Sequence, residues 1–245
     1  GFSLVEIYGM PPHFDVEDAA AAESLASALK ASGVKAASLH APYLFKTAGG
    51  KKRTLSITSG DDEVFEAALR LCRAAAAAAA VVGAPLVVLH CGKYGDPMSG
   101  EIVSNLASFM ATVSPHLPSG VNLALENVAS PVSEPSFLSN LLSTAPPRVG
   151  ICLDIAHANI SGDPAKAVEA AGQRLIHIHA SDNNGVRDDH LIPTDGDIEW
   201  KTVFSALKKS GYEGTFCFEP RKAVDPESAM KRCLGVFKML NDDTI

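Results

Sequence analysis

Short apolar runs recur along the chain, and six of them end on a residue able to bind a metal. They are SLH ending at His40, VVLH at His90, LALE at Glu126, ICLD at Asp154, IHIH at His179 and FCFE at Glu219. An opening run, VEIY over residues 5–8, carries only Glu6. The six terminal residues are separated by 50, 36, 28, 25 and 40 positions. Each interval has room for one helix and its loops. A (β/α) barrel produces that rhythm when every strand delivers one side chain to the same mouth.

The intervals carry helix punctuation. Ser59, Gly60 and Asp61 open a helix that runs through FEAALRLCR and the alanines at 74–80, and Gly83 stops it. The alanines let this helix lie close against a barrel wall. Asp163 and Pro164 form an N-cap with proline at the first helical position, and Gly172 ends that helix. Asp225 and Pro226 repeat the device for a last helix reaching Leu240, while Gly33 and Gly211 stop helices after SLASALKAS and FSALKKS. No linker or second composition zone interrupts the alternation. A single α/β domain over residues 1–245 with a parallel sheet is therefore expected. Strands are predicted over 5–8, 36–40, 86–90, 123–126, 151–154, 175–179 and 215–219. A closed (β/α)8 TIM barrel needs one more. Gly1 and Phe2 stand directly before a strand. The expectation is thus a TIM barrel whose first strand and helix, roughly 20 residues, are missing from this chain. A seven-stranded or partly open barrel is the alternative.

The 245 residues match the roughly 250 of one such barrel, and 47% hydrophobic content supplies a large core. The net charge of −7 offers no general attraction to nucleic acid or anionic membranes. No apolar run approaches the roughly 18 residues of a membrane span. The opening GFSLVEIYGM lacks the basic and then apolar segments of a signal peptide. Cys72, Cys91, Cys152, Cys217 and Cys233 are scattered and odd in number, with no C-x-x-C pair. This argues against a disulfide framework or thiolate zinc site; Cys91, Cys152 and Cys217 read as small core residues, and a reducing, cytoplasmic setting is expected.

The strand period of two places His177 and His179 on one face and Ile176 and Ile178 on the other. His179, nearer the strand's C-terminal end, is the better ligand; His177 is read as a deeper supporting or packed residue. His157 follows Asp154 by three positions in DIAH. The polar loop SDNNGVRDDHLIPTDGDIEW then offers Asp182, Arg187, Asp188, Asp189 and His190. A lone histidine at a strand end is usually a satisfied core residue. The collective pattern shifts that balance, because carboxylates at the ends of apolar strands are costly unless paired or metal-bound. Glu126, Asp154, Glu219 and His179 are the candidate metal ligands. The mixed oxygen and imidazole set suits Mn, Zn, Co, Mg or Fe without choosing among them.

At HAPY (40–43), HCG (90–92), LEN (125–127), LDIAH (153–157), HIHASDNNGVRDDH (177–190) and FEP (218–220), the chain resembles the xylose isomerase-like, endonuclease IV-like TIM-barrel superfamily. The likeness covers nearly its whole length. In the sugar isomerases and epimerases of that superfamily, two glutamates, an aspartate and a histidine hold one divalent ion. By resemblance these are Glu126, Glu219, Asp154 and His179. The ion would polarise the oxygens of a sugar or sugar phosphate and favour an enediolate. Glu126 and Glu219 would act as catalytic residues from opposite sides and move the proton. His157, Arg187 and His40 would hold substrate.

The endonuclease IV branch instead binds three zinc ions through nine residues. The matching types here are His40, His90, Glu126, Asp154, His157, His179, Asp188, His190 and Glu219. Tyr43 and Leu44 also resemble residues which that branch inserts at an abasic site. Three features favour the sugar enzymes: the acidic chain, the acid Asp189 where the nuclease carries a base, and the ending GDIEW (196–200). Against them stands the basic run Lys51-Lys52-Arg53, read either as a solvated loop or as a clamp for a phosphorylated substrate. The resulting expectation is a sugar or sugar-phosphate isomerase or epimerase using one divalent ion. An endonuclease IV-like zinc phosphodiesterase with up to three ions is the alternative. Lyases on the same scaffold and a non-catalytic binding barrel come behind. Nucleic acid is disfavoured as a partner, no membrane is expected, and a homo-oligomer is left open.

Overall fold

Every predicted apolar run forms a strand in the computed structural model, which describes residues 2–220 and 225–241. In chain order these are β1 (Leu4–Tyr8), β2 (Lys35–His40), β5 (Leu86–His90), β6 (Asn122–Glu126), β7 (Val149–Asp154), β8 (Leu175–Ala180) and β9 (Thr215–Phe218). They pair in parallel in the order β1-β2-β5-β6-β7-β8-β9. The sheet curls into a nearly closed barrel, and the Phe2 ring of one edge comes within 6.0 Å of Phe218 on the other. The two remaining strands, β3 (Leu44–Lys46) and β4 (Lys52–Thr54), form an antiparallel hairpin after β2. No sequence signal marked that hairpin, because strands of three residues are too short to show alternation.

Helices fill the intervals: α1 (Ala19–Ser32), α2 (Asp62–Val82), α3 (Gly100–Val113), α4 (Pro135–Leu142), α5 (Ile155–Ser161), α6 (Pro164–Ala171), α7 (Trp200–Ser210) and α8 (Pro226–Asn241). The expected caps are present. Asp61 accepts from Val64 N at the start of α2, and Asp163 accepts from Ala165 N and Lys166 N at the start of α6. Gly33, Gly83 and Gly211 end α1, α2 and α7 in the left-handed conformation. Ala75, Ala76, Ala78 and Ala79 are buried where α2 lies against the sheet. No helix among the described residues is long and apolar enough to cross a membrane.

The main core lies between sheet and helices. A smaller cluster of Leu86, Val88, Ala124 and Cys152, packed by Ile176, fills the barrel interior. Ile176 therefore does not follow Ile178 outward as strict alternation predicts. The reason is an extra residue in β8. Ile151 faces Leu175 while Cys152 already faces His177, so Ile176 is bulged. β2 carries a similar bulge at Ala37, since Val5 faces Ala36 and Glu6 faces Ser38. Gly150 makes room for the bulged Ile176: a Cβ there would sit 2.6 Å from Ile176 Cδ1.

Candidate functional site

The strand-end residues meet at the C-terminal mouth of the barrel. His179 is fully buried, and its Nδ1 lies 3.4 Å from Glu126 Oε1 and 3.3 Å from Glu219 Oε2. Glu219 stands one residue past β9, yet its N–H still donates to Ala180 O at 3.1 Å. Asp154 ends β7 and caps α5, its Oδ1 accepting from His157 N at 2.6 Å. Asn127 clamps this corner: its Oδ1 accepts from Asp154 N at 2.7 Å and its Nδ2 donates to Asp154 O at 3.0 Å. Asp154, His179 and Glu219 each present a donor atom within 4.8 Å of the others, and so do Glu126, Asp154 and His157.

The other predicted histidines gather around this centre. His40 Nδ1 donates to Ala41 O at 2.7 Å, and its Nε2 meets Glu126 Oε2 at 3.0 Å. His90 Nε2 lies 3.5 Å from the same oxygen, under the ring of Tyr43, which stacks on it at 5.6 Å. His157 Nδ1 donates to Asn127 O at 2.8 Å, which leaves Nε2 facing Asp188 Oδ2 at 3.6 Å. His190 Nε2 meets the same Asp188 oxygen at 2.8 Å, and its Nδ1 donates to Glu219 O at 2.9 Å. These two bonds hold His190 at φ +50°, a conformation that side chains other than glycine rarely adopt and that concentrates at functional sites.

One sequence expectation fails. Arg187 is not brought to the mouth: its side chain is 80% exposed and lies 3.5 Å from Asp189, because the loop turns it outward. For the basic run, the geometry fits the solvated reading of the two that were open. Arg53 is held by Asp61 at 2.8 Å and Glu63 at 3.0 Å, while Lys51 and Lys52 are exposed. Sequence reasoning also passed over Glu6, Asn127 and the role of Asp182. Glu6 sits mid-run in β1 and was given no role; its side chain is only 10% exposed and reaches His179. Asp182 is fully buried and organises the loop after β8. It accepts from Asn183 N, Thr194 N, Ile198 N and Trp200 Nε1 at 2.9, 2.8, 3.2 and 2.8 Å.

The electrostatics separate the carboxylates. Burial pushes Glu219 and Asp154 up from the ordinary carboxylate range. Burial acts on Glu126 too, but His90 and His179 override it and hold Glu126 well below. Burial opposes protonation of His40 and His157 as well. Glu126 nonetheless raises His40 to about 9, and Asp154 with Asp188 raises His157 to about 10. His90, where desolvation dominates, falls to about 4.

The residues fit a divalent cation. Asp154 Oδ2 and His179 Nδ1 are buried without a hydrogen-bond partner among the described residues. Two carboxylates approach that Nδ1 without aligning as acceptors, as ligands of a shared ion do. The site opens into a cleft of about 1770 Å³, lined at the mouth by His40, Tyr43, His90, Glu126, His157 and Glu219.

The family model for xylose isomerase-like TIM barrels matches residues 1–239. An uncharacterised protein of Methanocaldococcus jannaschii is 29% identical, over 81% of this chain and 70% of its own length. A ketose 3-epimerase of Arthrobacter globiformis is 26% identical, over 98% of this chain and 80% of its own. The crystal structure of a D-tagatose 3-epimerase-like protein superposes with a TM-score of 0.80 at 25% identity, covering 100% of this chain and 92% of that one. The chain belongs to the xylose isomerase-like TIM-barrel family.

Proposed function

We propose that this member of the xylose isomerase-like TIM-barrel family is a divalent-metal-dependent epimerase or isomerase of a sugar, with a ketose as the favoured substrate class. One observation carries the reading: Glu126 and Glu219, from different strands, reach the same His179 Nδ1 at 3.4 and 3.3 Å. Asp154, beside them, keeps an oxygen free. The similarity to a ketose 3-epimerase supports the substrate class.

Glu126, Asp154, His179 and Glu219 would hold the ion. When bound, it polarises the carbonyl and neighbouring hydroxyl of the sugar and so acidifies the adjacent C–H. The two glutamates would address that carbon from opposite sides. One would take the proton and the other would return a proton to the opposite face, which would invert the centre. Their environments differ, with Glu126 held ionised and Glu219 raised by burial, and such a pair divides base and acid roles. His157 Nε2, with Nδ1 already committed to Asn127 O, is oriented to hold a substrate oxygen. His40 lies at the same wall and is a second substrate contact. We place the whole described chain in one barrel domain.

The test is exchange of substrate C–H with deuterated water, using a panel of ketoses and Mn, Co, Mg, Zn or Fe. Wild type should incorporate solvent deuterium. Glu219→Gln should lower the rate by about 10²- to 10⁴-fold with an unchanged circular dichroism spectrum. Undiminished exchange in that variant would sink the two-glutamate mechanism.

A second reading has its own support, because Asp188, His190, His40 and His90 crowd the same mouth. With them as further ligands, two or three zinc ions and phosphodiester cleavage at abasic sites would follow. Metal analysis separates the readings: about one ion per chain supports the epimerase, and two or three zinc ions support the nuclease.

A further inference from the structure

We propose that Glu6 is a positioning residue for the metal site, accepting the Nε2–H of His179 so that Nδ1 of the same ring is left as the donor facing Glu126 and Glu219. This rests on the metal reading of the mouth. Among the described residues, β1 is the one barrel strand that brings no ligand-type residue to its end, and Glu6 gives that strand a function one pleat deeper. Both Glu6 oxygens lie 3.1 Å from His179 Nε2. Ser38 Oγ donates to Glu6 Oε2 at 2.6 Å, and His177 Nε2 lies 3.3 Å from the same oxygen. The carboxylate is thus pinned from β2 and from β8 while it addresses the ring.

The selection follows from imidazole chemistry. A neutral ring carries one proton, and a metal needs the lone pair of the other nitrogen. With the proton on Nδ1, His179 would turn its Nε2 lone pair on an anionic carboxylate and offer a hydrogen to the ligand cluster. With the proton on Nε2, both conflicts vanish. A carboxylate behind a ligating histidine both fixes the tautomer and raises ligand basicity.

The backbone is bent to make this contact. Were Ala37 paired regularly with Glu6, Ser38 would fall opposite Ile7 and turn toward the helices. Were Ile176 paired regularly with Cys152, His177 and His179 would turn outward together. Two irregular strands therefore converge on one carboxylate.

The first experiment needs no metal. In metal-free protein labelled with 15N-histidine, His179 should carry a slowly exchanging proton on Nε2; a proton on Nδ1 alone overturns the proposal. Zn²⁺ and Co²⁺ are then titrated into wild type, Glu6→Gln and Glu6→Ala. Glu6→Ala should bind both ions about 10- to 100-fold more weakly and change the visible spectrum of bound Co²⁺. Glu6→Gln, which keeps an oxygen acceptor, should recover part of the loss. Wild-type affinity in Glu6→Ala, or no recovery in Glu6→Gln, overturns the proposal. Should Glu6→Ala fail to fold, Glu6→Gln decides: weaker Zn²⁺ binding than wild type supports the proposal and equal binding overturns it. A wild-type chain that takes up neither ion would strike down the metal reading, and the tautomer would still report on Glu6 by itself.

Discussion

At the scale of single residues, the site is a set of buried charges that satisfy one another incompletely. Glu126 alone is approached by His40, His90, His157 and His179. Against the cost of burial, Glu126 keeps His40 at about 9, Asp154 and Asp188 keep His157 at about 10, and Cys152, Glu6 and Glu126 raise His179 above the usual histidine range. Coordination requires the free lone pair of His179 Nδ1, and this raised proton affinity opposes it. Metal and proton should then compete for this ring, so affinity should rise with pH and binding should release protons. Calorimetric titration in two buffers of different ionisation enthalpy reads this directly. Identical heats in both buffers would refute it. The strand-end ligands were legible because a polar residue closing an apolar run stands out. Glu6 was not, since a charged residue inside a short strand looks the same whether it faces solvent or a histidine across the barrel.

At the scale of elements, strand ends and loops divide the work. β7 passes into α5 through one residue, so Asp154 is at once the last strand residue and the helix cap. Only one of its oxygens is spent on the cap. The loop after β8 depends on Asp182, which gathers four N–H donors, three of them backbone. A Cβ on Gly196 would come within 2.4 Å of that carboxylate, so this turn is closed to any larger residue. Asp182→Ala would leave buried donors unpaired and should cost about 3 kcal/mol, measured by urea unfolding. It should also weaken substrate turnover, because Asp188 and His190 lie on the same loop. A loss below 0.5 kcal/mol, roughly what an exposed substitution costs, would show the loop to be held by other contacts. The sequence marked this segment as polar and ligand-rich. Which of its charged residues would face inward depended on the fold: Asp182 is buried and Arg187 is exposed.

At the scale of the whole molecule, seven parallel strands bring residues from positions 40 to 219 to one mouth. The ion would cross-link β6, β7, β8 and the end of β9, far apart in sequence. Saturating metal should then stabilise the fold. At a hundredfold excess over Kd the gain is about 2.7 kcal/mol, or roughly 5–10 °C in Tm for a chain of this size. Chelation should reverse it. A Tm indifferent to Mn, Co and Zn up to millimolar concentration would argue against the site. The double variant His40→Ala, His90→Ala should retain about one ion per chain if the four-ligand reading holds. A fall in bound metal would move those histidines into the coordination shell.

Periodic apolar runs, cap residues and their spacing were enough to determine a parallel α/β barrel and the six strand ends that face its mouth. Both are local properties: alternation and capping act over a few residues, and the strand-to-helix rhythm repeats them. The tertiary structure alone decided the rest. The bulges at Ala37 and Ile176 reverse which face a side chain occupies, and no pattern along one strand records its partner's register. The same holds for the pairing of Glu6 with His179 and for the turning outward of Arg187. Each depends on how a strand or loop meets another that lies distant in the chain, and only the closing of the sheet brings those segments together.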